Sequence, residues 1–245
     1  MKNAILIFLN SCLAIVLCTS CEMGNCLHGT GKKTKQVYET GYFREVNARG
    51  MFEVILVQDS FYYIELEGGD KVLEYTGVKN IDSILYLDNS NDCFFLRDYE
   101  KIKCYVHFTD YFVISLFDVC KVTSQHPITS NLTMIVPAEM AEVDIQLDNP
   151  HFHFYNHRNT GGSYTFRGFC DWCVISGYYA AKFDLSSLMT REMNINNSTI
   201  GDIYVRADEL LRVQIHNKGN VYFYGSPEII IDSISGTGQL FPVED

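Results

Sequence analysis

Short polar turns recur at a nearly constant interval in the second half of the chain, and this period is the strongest constraint on its fold. The turns are centred 20, 20 and 19 residues apart, on Ser176-Gly177, Asn196-Asn197, His216-Asn217 and Ser235-Gly236. Weaker copies lie near Ser115, Pro137 and His157. A repeat of this length is typical of solenoid proteins, in which one supersecondary unit stacks upon the next.

The segments between these turns alternate apolar and polar residues, which is the pattern of β-strands buried on one face. Glu142 to Asp148 shows it most clearly, with Val143, Ile145 and Leu147 on one face. From residue 37 onward almost no stretch holds a helical period. The sequence therefore predicts an all-β protein.

Each repeat is predicted to form one coil of short strands, whose inward side chains are buried only when the next coil stacks on them. Gly177, Asn197, Asn217 and Gly236 are predicted to occupy corners that need left-handed or tight backbone. The predicted fold is a β-helix, or solenoid, with coils of about 20 residues over 111–245. The less regular strands of 37–110 are predicted to form an N-terminal β cap, so that 37–245 is a single domain.

Residues 1–20 are predicted to be a signal peptide of lipoprotein type. Lys2 precedes two apolar stretches that are too short and too interrupted for a membrane-spanning helix. The segment ends in Leu17-Cys18-Thr19-Ser20-Cys21, which resembles a bacterial lipoprotein signal, so Cys21 is the predicted site of lipidation. An ordinary signal peptide cleaved nearby is the alternative, and both imply export.

Residues 21–36 are predicted to be a flexible linker, because Lys32, Lys33 and Lys35 lie among glycine and threonine residues. The formal net charge of the chain is −11. Since that charge repels phosphate groups, no nucleic-acid partner is expected.

Five segments carry a resemblance to a known family: Tyr42 to Val46, Gly50 to Val54, Ile64 to Gly68, Gly219 to Pro227 and Ser233 to Gly238. They resemble the head GIN domain family, which is described as auto-transporter adhesins and is found largely in exported proteins of Gram-negative bacteria. The resemblance covers about residues 37–243 and departs at the bulkier corners near 197 and 217. It implies a right-handed β-helix behind an export signal, with a role in adhesion or scaffolding and no established catalytic residues.

Outward tyrosines are the main candidates for ligand binding: Tyr178, Tyr204, Tyr222 and Tyr224. Tyr204 and Tyr224 are twenty residues apart, so they are predicted to align on successive coils. Such a stripe can stack sugars or dock a protein. Cross-strand packing that protects the sheet is the alternative interpretation.

No residue is predicted to be catalytic, and no cofactor or metal is expected. Cys170 and Cys173 have the spacing of a redox or zinc motif, but zinc needs two further ligands, so a structural or disulfide role is predicted. His151, His153 and His157 are interpreted as exposed side chains, with a surface metal site as the alternative.

The predicted function is that of a non-catalytic lipoprotein of the cell envelope, anchored by lipid at the outer membrane or cell surface, with the periplasmic face of the membrane as the alternative. It is predicted to be an adhesin or scaffold that recognises glycan or protein through one solenoid face. The alternative is a polysaccharide-active enzyme, a glycosidase or lyase, which would use surface carboxylates. A cleft lined by two or more converging acidic groups would favour the enzyme, whereas a flat aromatic stripe would favour the binding module.

Overall fold

A computed structural model of the chain describes residues 29–91, 101–157 and 160–244. The predicted signal peptide, residues 1–20, and Cys21 lie outside these ranges. Strands account for 70% of the structure and helix for 2%. No helix within the described ranges is both long enough and apolar enough to span a bilayer.

Within the described ranges, sixteen strands and one short helix follow one another. The N-terminal half contains β1 (Lys33–Glu39), β2 (Glu45–Arg49), β3 (Phe52–Gln58), β4 (Tyr63–Gly69), α1 (Asp70–Leu73), β5 (Thr76–Ile81), β6 (Ile84–Asn89), β7 (Ile102–Phe108), β8 (Phe112–Leu116) and β9 (Cys120–Ser124). The C-terminal half contains β10 (Leu132–Val136), β11 (Met140–Asn156), β12 (Gly161–Thr199), β13 (Ile203–Ile215), β14 (Val221–Tyr224), β15 (Glu228–Ile234) and β16 (Leu240–Pro242).

The C-terminal half is a stack of coils of about 21 residues, which confirms the predicted solenoid. Successive coils pair in parallel, so that Phe183 lies beside Ile203, Ile203 beside Val221, and Val221 beside Leu240. Because residues at equivalent positions of successive coils lie above one another, the inward apolar positions form continuous columns. Ile203 and Val221 are fully buried in this way.

The N-terminal half is stacked in an order that differs from the order of the chain. One side of the stack runs β1-β4-β7-β3-β9-β11, so β3 lies between two strands that follow it in sequence. The outermost strands β1 and β5 are paired antiparallel, with β4 and β6. With the buried Val72 and Leu73 of α1, these strands close the N-terminal end of the core as the predicted β cap.

Strand β1 begins at Lys33, inside the segment predicted to be a linker. Its Lys33 Nζ lies 2.8 Å from a carboxylate oxygen of Glu67, and its Lys35 Nζ lies 2.5 Å from one of Glu65. The prediction of a linker through residue 36 was therefore wrong. The acidic partners that pair with the lysines lie about thirty residues later in the sequence, so no local pattern indicates the strand.

None of the four predicted corner residues has left-handed backbone, but the two glycines are tightly packed. A Cβ atom would lie 2.6 Å from the ring of Phe183 at Gly177, and 2.1 Å from the carbonyl oxygen of Asn217 at Gly236. In the repeat region the glycines with positive φ are instead Gly162, Gly168 and Gly225. A Cβ atom on Gly225, which has φ +95°, would lie 2.2 Å from the carbonyl oxygen of Ala207 in the preceding coil. Glycine is therefore required there both by the backbone conformation and by the close approach of the preceding coil.

Buried asparagine side chains bridge adjacent coils at the corners. Asn197 is fully buried, and its Nδ2 donates to the carbonyl oxygen of Gly219 at 2.8 Å. Its Oδ1 accepts from the backbone N–H of Thr199 at 2.9 Å. These bonds satisfy backbone groups that the strand ladders leave unpaired where the chain turns.

The centre of the core is a cluster of aromatic rings from three coils. The ring centroid of Phe154 lies 4.5 Å from that of Tyr164 and 5.4 Å from that of Phe183. Phe166 lies 5.5 Å from Phe154. All four side chains are buried, so the cluster ties neighbouring coils together at one point.

We expect Phe154→Ala to lower the free energy of unfolding by about 3–5 kcal/mol, because it removes a buried ring and leaves a cavity between coils. His153→Ala is the matched control, since His153 is the exposed neighbour of Phe154 on β11. Its effect should stay within about 0.5 kcal/mol. Urea denaturation followed by circular dichroism measures both, and equal stability of the two variants would contradict this packing.

We also expect the free energy of unfolding to fall as the pH rises above 9. Burial raises the pKa of the Cys120 thiol from 9.0 to about 11. Between these values the unfolded chain has lost the thiol proton and the folded chain retains it, so stability declines by about 3 kcal/mol across the window. Burial also raises the pKa of Cys104, which extends the decline.

Urea denaturation between pH 8 and pH 11 measures this loss, and Cys120→Ala is the control, because it removes the titrating thiol. The decline should be steeper in the unmodified chain than in the variant. Parallel curves for the two proteins would show that Cys120 does not ionise on unfolding.

Candidate binding surface

Three aromatic side chains form a row on the outer face of the last coils. Tyr204 of β13 pairs with Tyr222 of β14, which pairs with Phe241 of β16. Their neighbours Ile203 and Val221 point inward and are buried, so alternation along each strand sends the three rings outward. We call these three residues the ring column.

The rings of the column are stacked along the solenoid axis. The centroids of Tyr204 and Tyr222 are 5.0 Å apart with an interplanar angle of 12°, and those of Tyr222 and Phe241 are 5.4 Å apart at 23°. These distances are close to the spacing of neighbouring strands, about 4.8 Å, so the parallel ladder itself sets the stacking. The column therefore presents ring edges and tyrosine hydroxyls to solvent. Phe241, at its end, is 36% exposed, and no further ring stacks on it among the described residues.

Polar side chains surround the ring column. Asp184 precedes Tyr204 in the same row, and its carboxylate accepts from Ser186 Oγ at 2.7 Å. Asn220 Nδ2 lies 3.4 Å from the hydroxyl of Tyr222. Partial burial, and then the nearby carboxylate of Asp202, raise the pKa of Tyr204, so its hydroxyl is protonated and available as a donor at neutral pH.

The structure brings together two of the four predicted binding residues. Tyr204 aligns with Tyr222 and not with Tyr224, because the coil between Ile203 and Val221 is shorter than the average repeat. Tyr224 lies one row away, where the guanidinium of Arg206 sits 5.1 Å from its ring centroid. The predicted alignment of Tyr204 with Tyr224 was therefore wrong.

Tyr178 is not paired within the column, and the sequence prediction did not include Phe241. Tyr178 packs edge-to-face against Tyr155, with centroids 5.6 Å apart. Phe241 follows Tyr222 by nineteen residues, so the repeat period contained a signal for it. The segment around it, Gln239-Leu240-Phe241-Pro242, lacks the alternation of a regular strand, because β16 has only three residues.

The last coil leaves one edge of the solenoid open. Within the described residues, β15 pairs only with β13 and β16 only with β14. Ile229, Ile231 and Ile234 of β15 are 41%, 52% and 46% exposed. Among the described residues both ends of the stack have strands paired on one side only, but α1 covers the core at the N-terminal end, whereas the isoleucines of β15 stay exposed at the C-terminal end.

Carboxylates on the coil faces are engaged in ion pairs that join neighbouring coils. Arg191 binds Glu209 with two hydrogen bonds, of 2.9 and 3.1 Å, and lies 3.5 Å from Asp171. Arg212 lies 2.8 Å from Asp232. A hydrogen bond from Arg191 lowers the pKa of Glu209, which is the opposite of the shift that a general acid needs.

One groove contains two acidic residues, Asp88 and Asp118, in a volume of about 410 Å³. Arg49 also lines it. The carboxylate of Asp118 accepts a 2.6 Å hydrogen bond from the backbone N–H of Gly50, so it holds the turn between β2 and β3. This engagement supports a structural role for Asp118 and not a pair of free carboxylates for glycoside cleavage.

The remaining motifs are accounted for by packing. Cys170 and Cys173 are fully buried free thiols, and burial raises the pKa of Cys173, which keeps it protonated. His151 contacts the ring of Trp172 edge-on, with centroids 5.6 Å apart. In the described part of the chain, no three His, Cys, Asp or Glu side chains converge as metal ligands.

Comparison with known sequences decides the family. Residues 42–227 match the family described as "Putative auto-transporter adhesin, head GIN domain". The chain belongs to this family. Its name describes a protein of the cell surface or an exported protein. No curated protein matches the sequence significantly.

Solved structures from Bacteroides and Parabacteroides species share the fold of this head GIN domain. A "putative adhesin" from Bacteroides fragilis aligns with a TM-score of 0.77 and 19% identity, over 86% of this chain and 97% of its own. Adhesins of the same description from Parabacteroides distasonis and Parabacteroides merdae align with TM-scores of 0.58 and 0.59, at 15% and 12% identity. Each alignment covers 88% of this chain and 98% of the other. At these identities the likeness shows the fold alone.

Proposed function

We propose that this head GIN domain protein is a non-catalytic adhesin of the cell envelope that binds glycan at the ring column. The observation that carries the proposal is the stack of Tyr204, Tyr222 and Phe241, which ends in a partly exposed ring at the open end of the solenoid. Rings that served only to pack the solenoid would not need an exposed ring at the end of the stack.

The chemistry around the column suits a sugar. A pyranose ring presents a face of C–H groups that packs on an aromatic ring, and Phe241 is the partly exposed ring that ends the column. The hydroxyls of Tyr204 and Tyr222, the carboxylate of Asp184 and the amide of Asn220 offer donors and acceptors for sugar hydroxyls. Stacking supplies affinity there, and the polar groups select the sugar.

A protein ligand is the second candidate, favoured by the open edge of β15. Its backbone groups are free to accept an added strand, and Ile229, Ile231 and Ile234 would be covered by apolar side chains of that strand. We favour glycan over protein as the ligand because the ring column combines aromatic and hydrogen-bonding groups, whereas the β15 edge is apolar.

The absence of catalysis is part of the proposal, and it rests on how the carboxylates are used. Glu209, Asp171 and Asp232 are paired with arginines across coils, and Asp118 holds a backbone turn. A polysaccharide-cleaving enzyme needs two carboxyl groups free to face the scissile bond.

The proposed anchor places the ring column away from the membrane. Lipid at Cys21 would tether the chain close to β1, which lies at the closed end of the stack. The column lies at the opposite end, roughly 45 Å away by the spacing of the strands between them. A lipid-anchored adhesin with this arrangement presents its binding end outward.

Glycan-array screening of the purified chain tests the binding proposal. We expect at least one glycan to bind, and Phe241→Ala and Tyr222→Ala to weaken that binding about ten-fold, because each removes part of the stacking surface. Tyr111→Ala is the matched control, since Tyr111 is 45% exposed and lies outside the column. Chemical shifts or melting temperature confirm that the variants are folded.

Two results would contradict the proposal. Release of new reducing ends from a bound glycan would show an enzyme, and binding that survives both column variants would place the ligand elsewhere. Loss of binding on Ile231→Lys, without loss on Phe241→Ala, would favour the protein candidate at the β15 edge.

The anchor is tested separately by metabolic labelling with an alkyne fatty acid. We expect the label on the chain, and its loss in Cys21→Ser, because the lipid is attached to the thiol of the first mature residue. Cys18→Ser is the control, since this neighbouring cysteine lies within the predicted signal and should leave labelling unchanged. Labelling that persists in Cys21→Ser would refute lipidation at that position.

A further inference from the structure

A second aromatic surface lies at the opposite end of the solenoid, in the N-terminal cap. A groove of about 760 Å³ opens where the end of β1 meets the connection between β3 and β4. The residues that line it include Tyr42, Phe61, Tyr62, Tyr63 and Glu39. Phe61 is 72% exposed and Tyr42 is 58% exposed, values that the packing of the core does not explain.

Neighbouring rings support the tyrosines that line the groove. Tyr42 and Tyr62 are 5.3 Å apart between centroids, with an interplanar angle of 79°. Tyr62 rests in turn on the buried ring of Phe43, at 5.1 Å. Tyr63 is stacked on His107 at 3.8 Å. Tyr42, Tyr62 and Tyr63 are therefore held in place by packing before any ligand arrives.

Hydrogen bonds hold the two segments that carry these rings. Asn80 Nδ2 donates to the carbonyl oxygens of Thr40 and Tyr42, at 2.9 and 2.8 Å. On the other side, Asp59 accepts from the backbone N–H of Ser60 at 2.6 Å. Both turns are thus preorganised, which lowers the entropy lost on binding.

The groove favours a positive charge. Aromatic ring faces carry negative electrostatic potential, and Glu39 adds a carboxylate. Among the described residues that line the groove there is no lysine or arginine. The net charge of the whole chain is −11, so the surrounding field acts in the same direction.

We infer that this groove binds a quaternary ammonium group such as the choline head group. Several rings and a single carboxylate suit an alkylated ammonium, which has no N–H to donate and is held by cation–π attraction. A primary ammonium would need several acceptor oxygens to replace its water. The inference is independent of glycan binding at the ring column, which lies at the other end of the stack.

Isothermal titration of the purified full chain with choline chloride tests the inference, with 3,3-dimethyl-1-butanol as the matched neutral probe. The two probes have almost the same shape and differ in charge. We expect choline to bind about ten-fold more tightly. Equal affinity would show an apolar groove without cation recognition, and no binding of choline at millimolar concentration would overturn the site.

Variants locate the binding. Phe61→Ala and Tyr42→Ala should each weaken choline about five-fold, and Glu39→Gln should weaken choline but not the neutral probe. Since Phe61 and Tyr42 are largely exposed, the variants should fold normally, and Tyr111→Ala serves as the control. Unchanged choline affinity in Phe61→Ala would overturn the inference.

A further comparison separates the sources of the head group. Phosphocholine in solution and vesicles of phosphatidylcholine are tested side by side, with phosphatidylglycerol vesicles as the control. Binding to phosphatidylcholine vesicles that is abolished by Phe61→Ala supports a lipid source, and binding to soluble phosphocholine alone supports a free or polymer-borne group. Equal binding to both kinds of vesicle would contradict recognition of the ammonium.

Discussion

The parallel hydrogen-bond ladder between coils is the constraint on which the rest of the structure depends. It fixes which residue of one coil lies above which residue of the next, so inward apolar positions such as Phe183, Ile203 and Val221 form one continuous core. The same register carries outward residues into rows. The ring column and the ion pairs of Arg191 are therefore products of the ladder as much as of their own side chains.

Alternation and period were sufficient to predict the fold class, because each coil must bury one face and only stacking can do so. The same signals could not fix the exact register. Coils vary in length, so Tyr204 meets Tyr222 and a constant step of twenty pointed to Tyr224. The order of strands in the cap depends on pairings between distant segments, and the aromatic groove arises from three turns that are separate in sequence, so neither has a local signal.

The two ends of the solenoid differ, and each carries one of the two proposed binding surfaces. The N-terminal end is closed by antiparallel strands and bears the aromatic groove with its acidic side chain. The C-terminal end is open and apolar, and Phe241 lies there. A chain tethered near its first strand would hold the groove near the membrane and the ring column outward, so one molecule could contact two different surfaces.

Residue-resolved amide hydrogen exchange tests the stacked ladder most directly. In an interior coil, consecutive N–H groups point to neighbours on opposite sides, so we expect every amide from Ala141 to Asp144 to exchange slowly, because this segment pairs with both β9 and β12. In β15, which pairs on one side only, slow and fast amides should alternate. Alternation in Ala141 to Asp144 as well would mean that these residues form an edge strand, and would contradict the stacked-coil account.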